Sequence, residues 1–547
     1  MLEEFEKKFE KFIRRKKWLS GNQVLYVVDR AALQEMVLYW HERGDSTHYS
    51  MSVGTDERPV TGTFSYIPVI NVAVGRKNLW ILLKAYLPAK NPTFPAVAEK
   101  LPAALWAERE VHDLLGLKPE NHPDLRRLVL PEDWPENVYP LRKDVSHDYS
   151  PLGKRKGDYK PGPEDTTVVP LGPYHVALDE PAHFRLFVEG ERIVDVEYRG
   201  FYSHRSIEKI GESRLGYNQI PFIAERICGI CSFQFSTAYV QAIETIVGAD
   251  VPERALYIRT VLLELERIHS HLLWMGVTCH MAGFDLGFMH TWRIREPIMW
   301  LVERLTGNRR TYGMNTVGGV RRDFLDYRKE LVLKKIQELK NEFEKIRDLI
   351  LNTNTFIRRI EGIGVLPKKL AKDYSVLGPN ARASGINIDI RRDYPYAAYK
   401  DIDFRVPVYR KGDVLSRVLQ RMDELMESVW IVEQAIDEMP GGEIYTPIEK
   451  LPEYQEILSY CEAPRGELVM YVMTEGGNRI YRWKVRPPTY NTLPVVPEVL
   501  KEYTVADAPL IITSFDPCYS CTERIQVVDV KRGKARILTA PLTGGCG

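Results

Sequence analysis

The sequence predicts an α+β protein in two unequal parts: a small N-terminal α+β domain, then a large, mostly helical domain with β decoration. Three observations carry this expectation. Apolar, β-prone runs at 66–74 and 79–87 stand on either side of the turn-like Gly75-Arg76-Lys77-Asn78. A stretch rich in Pro, Gly and charge follows at 146–170. Beyond it, long segments carry apolar residues at helical spacing.

Taken in order, residues 1–145 form the first domain, with helices expected over about 3–17 and 29–43, the hairpin just described, and a helix over 103–115. The run from Asn121 to Arg127 reads as a loop. Residues 146–170 read as a linker, and 171–524 as the second domain. That domain opens on a hairpin, with strands at 184–188 and 193–198 around Glu189-Gly190-Glu191-Arg192. Helices follow at 255–277, along the face of Leu331, Leu333, Ile336, Leu339, Phe343, Ile346 and Ile350, and at 414–436.

Composition excludes several functional classes. The chain has 547 residues, 44% hydrophobic, and a net charge of +1 from 75 basic and 74 acidic side chains. Such balance offers no electrostatic grip on nucleic acid. No apolar run approaches the roughly 20 residues of a membrane span. The N-terminus has mixed charge and no apolar core, so cytoplasm is the expectation. Abundant Lys, Arg and Glu with scarce Gln lean toward a thermophile. Seven cysteines, an odd and sparse set, argue against a disulfide framework.

Four of those cysteines form two Cys-x-x-Cys pairs, Cys228/Cys231 and Cys518/Cys521, at opposite ends of the second domain. In each pair a tight turn lets both sulfurs reach one ion. Four soft thiolates suit zinc, an iron–sulfur cluster, or nickel beside iron. A structural four-Cys zinc site is the plain alternative, although such sites usually staple segments about 15–20 residues apart. Metal binding would drive thiol deprotonation from a free pKa of about 8.5.

The runs Arg226-Ile-Cys-Gly-Ile-Cys231 and Asp516-Pro-Cys-Tyr-Ser-Cys-Thr-Glu-Arg524 resemble the paired motifs of nickel-iron hydrogenase large subunits, most of all the complex-I-related, energy-converting group. Ala107-Glu-Arg-Glu-Val-His-Asp113 with His122-Pro-Asp-Leu-Arg-Arg127 resembles the 30-kDa subunit of complex I. Phe201-Tyr-Ser-His-Arg-Ser-Ile-Glu208, Asn315-Thr-Val-Gly-Gly-Val-Arg-Arg-Asp323 and Gly378-Pro-Asn-Ala-Arg-Ala-Ser-Gly385 resemble the 49-kDa subunit.

The resemblance implies that all four cysteines bind nickel. Cys231 and Cys521 would also bridge to an iron carrying CO and cyanide. It implies that Glu208 takes protons from a terminal cysteine, work that suits a carboxylate whose burial raises its pKa toward neutrality. Arg465 would hang over the metals, Asp516 would orient it or cap a turn, and Arg486 with Pro487 would contact a cyanide. Two positions depart from the family pattern: Phe235 replaces a usual His, and Ser206 a usual Gly. His269 and His271, two apart on a helix, read as packing residues, and Cys279 and Cys461 as buried small apolar side chains.

The resemblance further implies a C-terminal extension, 525–547, removed after Arg524 by a maturation protease once nickel-insertion proteins have loaded the metal. With no cysteines left for an iron–sulfur cluster in this chain, electrons would come through an iron–sulfur small subunit. Membrane subunits would place the assembly peripherally on the inner face of the cell membrane. The expected function is reversible reduction of protons to dihydrogen. The alternatives are a related reductase of sulfur, polysulfide or quinone, and a non-catalytic subunit with structural zinc.

Overall fold

The computed structural model describes residues 1–522 except 45, 75–76, 132–133, 148, 150–158, 176–177, 179 and 203–204; beyond 522 it describes only 528–529 and 534–535. The proposed C-terminal extension, and Arg524 before it, thus lie almost wholly outside the described residues.

Helix α1 (Leu2–Lys8) buries Phe5 and is followed by the buried Phe9. The expected helix stops there, and β1 (Ile13–Ser20) pairs antiparallel with β2 (Gln23–Val28). Gly21-Asn22 closes this hairpin, with Ser20 opposite Gln23. The basic run Arg14–Lys17 lies on a strand at the edge of the sheet, where outward charge discourages further pairing. Helix α2 (Leu33–His41) is followed by β3 (His48–Glu57), β4 (Thr63–Val74) and β5 (Lys77–Pro88). The sheet order is β1-β2-β5-β4-β3, and only β2/β5 is parallel.

Side chains alternate across this sheet, and both faces are buried. Val24, Tyr26, Ile81 and Leu83 pack with Phe5, Met36 and Trp40 of the N-terminal helices. Leu25, Trp80 and Leu82, from the same strands, join the core of the helical part. Two-sided burial explains why 66–74 and 79–87 read as nearly continuous apolar runs. Helix α3 (Leu105–Leu115) ends at Gly116, whose φ of 72° is left-handed.

The segment expected as a linker ends in structure. Residues 167–171 form β6 (Thr167–Leu171), the edge strand beside β7 (His183–Glu189) and β8 (Arg192–Arg199). The β7/β8 hairpin has the register read from sequence, Arg192 opposite Glu189.

Short helix α4 (Ile207–Ser213) precedes the helical layer: α5 (Ser232–Val247), α6 (Glu253–Met281), α7 (Asp285–Thr306), α8 (Asp326–Leu351) and α9 (Val414–Asp437). Helix α6 packs between α7 and α9 and is buried nearly all round. Its arginines are paired with carboxylates, as Arg259 is with Glu244 at 2.7 Å. Strands β9 (Glu456–Ala463), β10 (Gly466–Gly476) and β11 (Arg479–Arg486) form an antiparallel sheet, and α10 (Ala508–Ser514) leads to the second cysteine pair. The β9–β10 turn lies directly on the helix Gly378–Ala383. A Cβ at Gly466 would come within 2.6 Å of the Gly378 nitrogen, so this contact requires glycine.

Candidate metal centre

The first dithiol turn is made by backbone. Cys231 caps the N-terminus of α5. The amides of Ile230 and Cys231 point at the Cys228 Sγ, at 3.4 and 3.5 Å. One layer below, the Glu266 carboxyl of α6 accepts from the Phe233 and Gln234 amides at 2.8 and 3.1 Å and from the Ser232 and Thr311 hydroxyls at 3.0 and 2.9 Å. It thereby satisfies two of the amides that a helix start leaves without partners. Burial pushes this carboxyl up to about 8 against those donors.

The second turn follows α10. Asp516 adopts a left-handed backbone (φ 55°) just before Pro517. The Cys518 amide donates to Thr489 Oγ1 at 3.2 Å, and the Ser520 amide donates to the Glu180 carboxylate. Arg205 ties the two turns together: its guanidinium donates to the carbonyls of Arg226 and Ile227 at 2.7 Å each and of Ser520 at 3.1 Å.

The four sulfurs meet. Cys228 Sγ lies 3.2 Å from Cys231 Sγ and 3.2 Å from Cys518 Sγ, and Cys521 Sγ lies 3.0 Å from Cys518 Sγ. These separations are far beyond the roughly 2.05 Å of a disulfide. Cys228, Cys231 and Cys518 are buried, and Cys521 is half-buried. Hydrogen bonds from the Cys231, Cys518 and Cys521 thiols hold Cys228 well below the usual thiol range. The other three thiols are raised: Cys231 and Cys518 chiefly by their bonds to Cys228, Cys521 chiefly by burial. A buried set of four soft donors, one of them already favouring the thiolate, fits nickel beside iron.

Arg465 lies in the β9–β10 turn, close enough to Cys518, Cys231 and Cys228 for their charges to act on it. Its guanidinium meets Asp516 Oδ1 at 2.6 Å, donates to the Asp516 carbonyl at 2.8 Å and approaches Ser270 Oγ at 3.4 Å. Burial would lower its pKa, but Asp516, then Cys518, Cys231 and Cys228, hold it well above its ordinary value. Two cavities of about 10 Å³ each flank Arg465. One is lined by Asn380, Thr489 and Asp516, the other by Leu273, Trp274 and Val277.

Glu208 sits on α4 and faces β11. It accepts from Arg482 at 2.8 Å, from the Val485 amide at 3.0 Å and from Lys484 at 3.5 Å. Burial alone would raise its pKa, as expected from sequence. Instead the charges of Lys484 and Arg482, with the Val485 amide, hold it at about 2. Arg486 spends its guanidinium on Glu467 and on Ser50 Oγ. Pro487 precedes the short helix Pro488–Thr492, which carries Thr489.

Ser206 has φ 53°, in the left-handed region, which accounts for the glycine usual at that position. Phe235, His269 and His271 are buried, and burial holds both imidazoles low. Cys279 and Cys461 are buried with raised thiols. Sequence reasoning did not single out Glu266, Thr489, Glu180 or Lys484, and it quoted Arg205 only as part of a motif. Their partners lie far along the chain, so no local pattern marks them.

A four-thiol cluster close to a buried guanidinium, set in a helical layer with a small sheet domain against it, defines a thiolate metal site on a two-part helical and sheet scaffold. The comparisons agree. Residues 26–151 match the respiratory-chain NADH dehydrogenase 30 Kd subunit family, 282–456 and 449–524 the 49 Kd subunit family, and 205–285 the nickel-dependent hydrogenase family. The chain is 42% identical to formate hydrogenlyase subunit 5 of Escherichia coli (strain K12), over 95% of this chain and 92% of that protein. It is 41% identical to membrane-bound hydrogenase subunit alpha of Pyrococcus furiosus, over 68% of this chain and 90% of that protein. A subunit in the structure of the membrane-bound sulfane sulfur reductase, an archaeal respiratory membrane complex, matches with a TM-score of 0.63 and 32% identity, over 67% of this chain and all of that one. The chain belongs to the nickel-iron hydrogenase large subunits of the complex-I-related, energy-converting group. That family implies a nickel–iron centre, and its members sit in membrane-bound complexes. Among the described residues, no helix is long and apolar enough to cross a membrane.

Proposed function

We propose that the chain is the catalytic subunit of a membrane-associated nickel–iron hydrogenase complex that reduces protons to dihydrogen, reversibly. The convergence of sulfurs from Cys228, Cys231, Cys518 and Cys521, residues from both ends of the larger lobe, carries this reading. These four would hold a nickel–iron group whose iron would carry CO and cyanide. When bound, the group supplies the redox and Lewis-acid chemistry that divides dihydrogen into two protons and two electrons.

The chain's own residues hold charge and move protons. A terminal thiolate, Cys228 or Cys518, receives a proton, and Glu208 takes it onward. Arg465, fixed by Asp516, keeps a positive charge facing the sulfurs in a dry setting, where it counts most. Thr489 borders the small cavity beside Arg465, and Pro487, two residues earlier, would lie close to ligands on the iron. Arg486, bound to Glu467 and Ser50, braces that wall rather than reaching into it. Electrons for proton reduction come from a partner iron–sulfur subunit, and membrane subunits hold the complex on the inner face of the cell membrane. Nickel-insertion proteins load the site, and a protease then removes 525–547.

A second reading, reduction of sulfane sulfur or polysulfide, is favoured by the likeness to the sulfane sulfur reductase. Metal analysis and infrared spectroscopy of the purified complex test the first. Nickel with iron, and absorption from iron-bound CO and cyanide, are expected together with dihydrogen evolution. Zinc alone, or polysulfide reduction with no dihydrogen chemistry, would overturn it.

A further inference from the structure

Glu110 lies on α3 of the N-terminal domain, but its side chain reaches β11 in the other domain. Lys484 Nζ donates to Glu110 Oε1 at 2.5 Å and lies 3.5 Å from Glu208 Oε1. Glu110 is 8% exposed and Lys484 2%. The second oxygen of Glu110, Oε2, is buried and has no hydrogen-bond partner among the described residues.

The charges around this group are unevenly shared. Arg482 is shared by Glu208 and Glu212 at 2.8 Å each, and Glu212 also pairs with Lys143 at the solvent edge. Glu208 receives two cations and a backbone amide, and Glu212 receives two cations and the Trp483 amide. Glu110 receives one cation, Lys484, which it shares with Glu208, beside the Tyr490 hydroxyl. A poorly compensated buried charge is expensive, so of the three carboxyls Glu110 most favours carrying a proton.

We propose that Glu110 is the proton-holding station behind Glu208, with the Lys484 ammonium as carrier between them. This rests on the reading of Glu208 as first acceptor. In the step, which begins once Glu110 has given up its resting proton, the ammonium releases one proton to the Glu110 carboxylate and takes one from protonated Glu208. Lys484 ends as it began, Glu208 becomes a carboxylate and Glu110 a carboxylic acid. One proton moves, and no electrons. Arg482 cannot do this work, because a guanidinium does not deprotonate in proteins. The directions of shift agree: burial raises the Glu110 carboxyl, while Lys484 and Arg482 keep Glu208 low, which makes Glu208 a ready donor rather than a store. The N-terminal domain would then supply a working part of the proton path.

The test uses the metal-loaded complex and its exchange of dihydrogen isotopes with water. Glu110→Gln, and Lys484→Arg, which keeps the cation but cannot release a proton, are each expected to slow exchange roughly tenfold or more. Nickel content and the infrared bands of the iron ligands should be unchanged. Glu110→Asp, which retains a carboxyl, should recover part of the rate. Apart from turnover, the resting-state difference spectrum of wild type minus E110Q should show the C=O stretch of a buried carboxylic acid, and that of wild type minus E208Q should not. Wild-type exchange in E110Q and K484R beside slow exchange in E208Q would overturn the relay and leave Glu208 as first acceptor. Absence of a carboxylic acid band from the wild-type-minus-E110Q difference would also overturn it. Wild-type exchange in E208Q would remove the first-acceptor reading and the relay with it.

Discussion

The first dithiol turn aims its own amides at a sulfur and is braced by Glu266 of α6, whereas the amides of the second are spent on side chains of other segments, Thr489 and Glu180. Cys228 receives two amides from its own turn, and Glu266 braces the start of α5 beneath it. Cys518 and Ser520 depend on Thr489 and Glu180, and the second turn is tied to the first through Arg205. A half-site of the first kind is ordered by local folding. One of the second kind is completed only when distant segments have docked. That difference suits a site whose second half closes after metal arrives.

The largest effect tests the shared part. Cys228→Ser and Cys518→Ser should each abolish nickel retention and dihydrogen chemistry, because an alcohol is a hard, weakly acidic ligand where soft thiolates are needed. The metal-free proteins should differ. Cys228→Ser disturbs the sulfur that two amides face and should cost about 1 kcal/mol in denaturant unfolding, while Cys518→Ser should cost nothing measurable. Equal costs would mean that the two turns are ordered alike.

Next in size is the tie between the turns. Arg205→Met removes three charged-donor hydrogen bonds at an exposed position. The expected outcome is about tenfold faster nickel loss to a chelator, equal to roughly 1.4 kcal/mol, with the thermal midpoint of the metal-free chain unchanged. Thr489→Val should act in the same direction and more weakly, since it frees only the Cys518 amide. Nickel loss at the wild-type rate in both would show that the second turn holds itself.

Glu266 gives the first turn a pH signature. Its folded-state pKa, pushed by burial to about 8, lies above its ordinary 4.5. Stability from this group is therefore full below about 4.5 and is lost as pH rises through 8, by an amount of the order of a few kcal/mol. Denaturant titrations of the metal-free chain across that window should show the decline, and Glu266→Gln should flatten it. An unchanged slope in the variant would assign the decline to another carboxyl, such as Glu108, which burial also raises to about 8.

Much of this architecture was legible in the chain. The β4/β5 and β7/β8 hairpins and the long helices follow directly from residue periodicity. The first strand was not legible: Phe5 and Phe9 begin a helical pattern, and only the sheet edge offered by β2 turns Ile13–Ser20 into a strand. Likewise 167–171 gains its order from β7 rather than from its own composition. At the site, the cysteines announce themselves by spacing, whereas Thr489, Glu180 and Glu266 act through contacts that no local pattern records. Glu208 is the instructive case. From sequence alone, burial is expected to raise its carboxyl, whereas Arg482 and Lys484 alternate along β11, face it together and hold it low. The alternation Arg482-Trp-Lys484-Val-Arg486 was visible; which face met which carboxylate was not.

The smallest expected effect concerns the entry to α4, between the Arg205 tie and Glu208. Ser206 has φ 53° and ψ 33°, a conformation that costs a residue with a Cβ about 1 kcal/mol. Glycine removes that strain but gives the unfolded chain more freedom, worth about 0.5–1 kcal/mol against it. Ser206→Gly should therefore leave unfolding within about 0.5 kcal/mol of the wild type, with nickel retention and isotope exchange unaltered. A loss above about 1 kcal/mol would show that the serine hydroxyl, and not only the backbone, holds the start of α4. The first turn's tie would then depend on side-chain bonding as much as the second turn does, and the contrast between the two halves of the site would narrow.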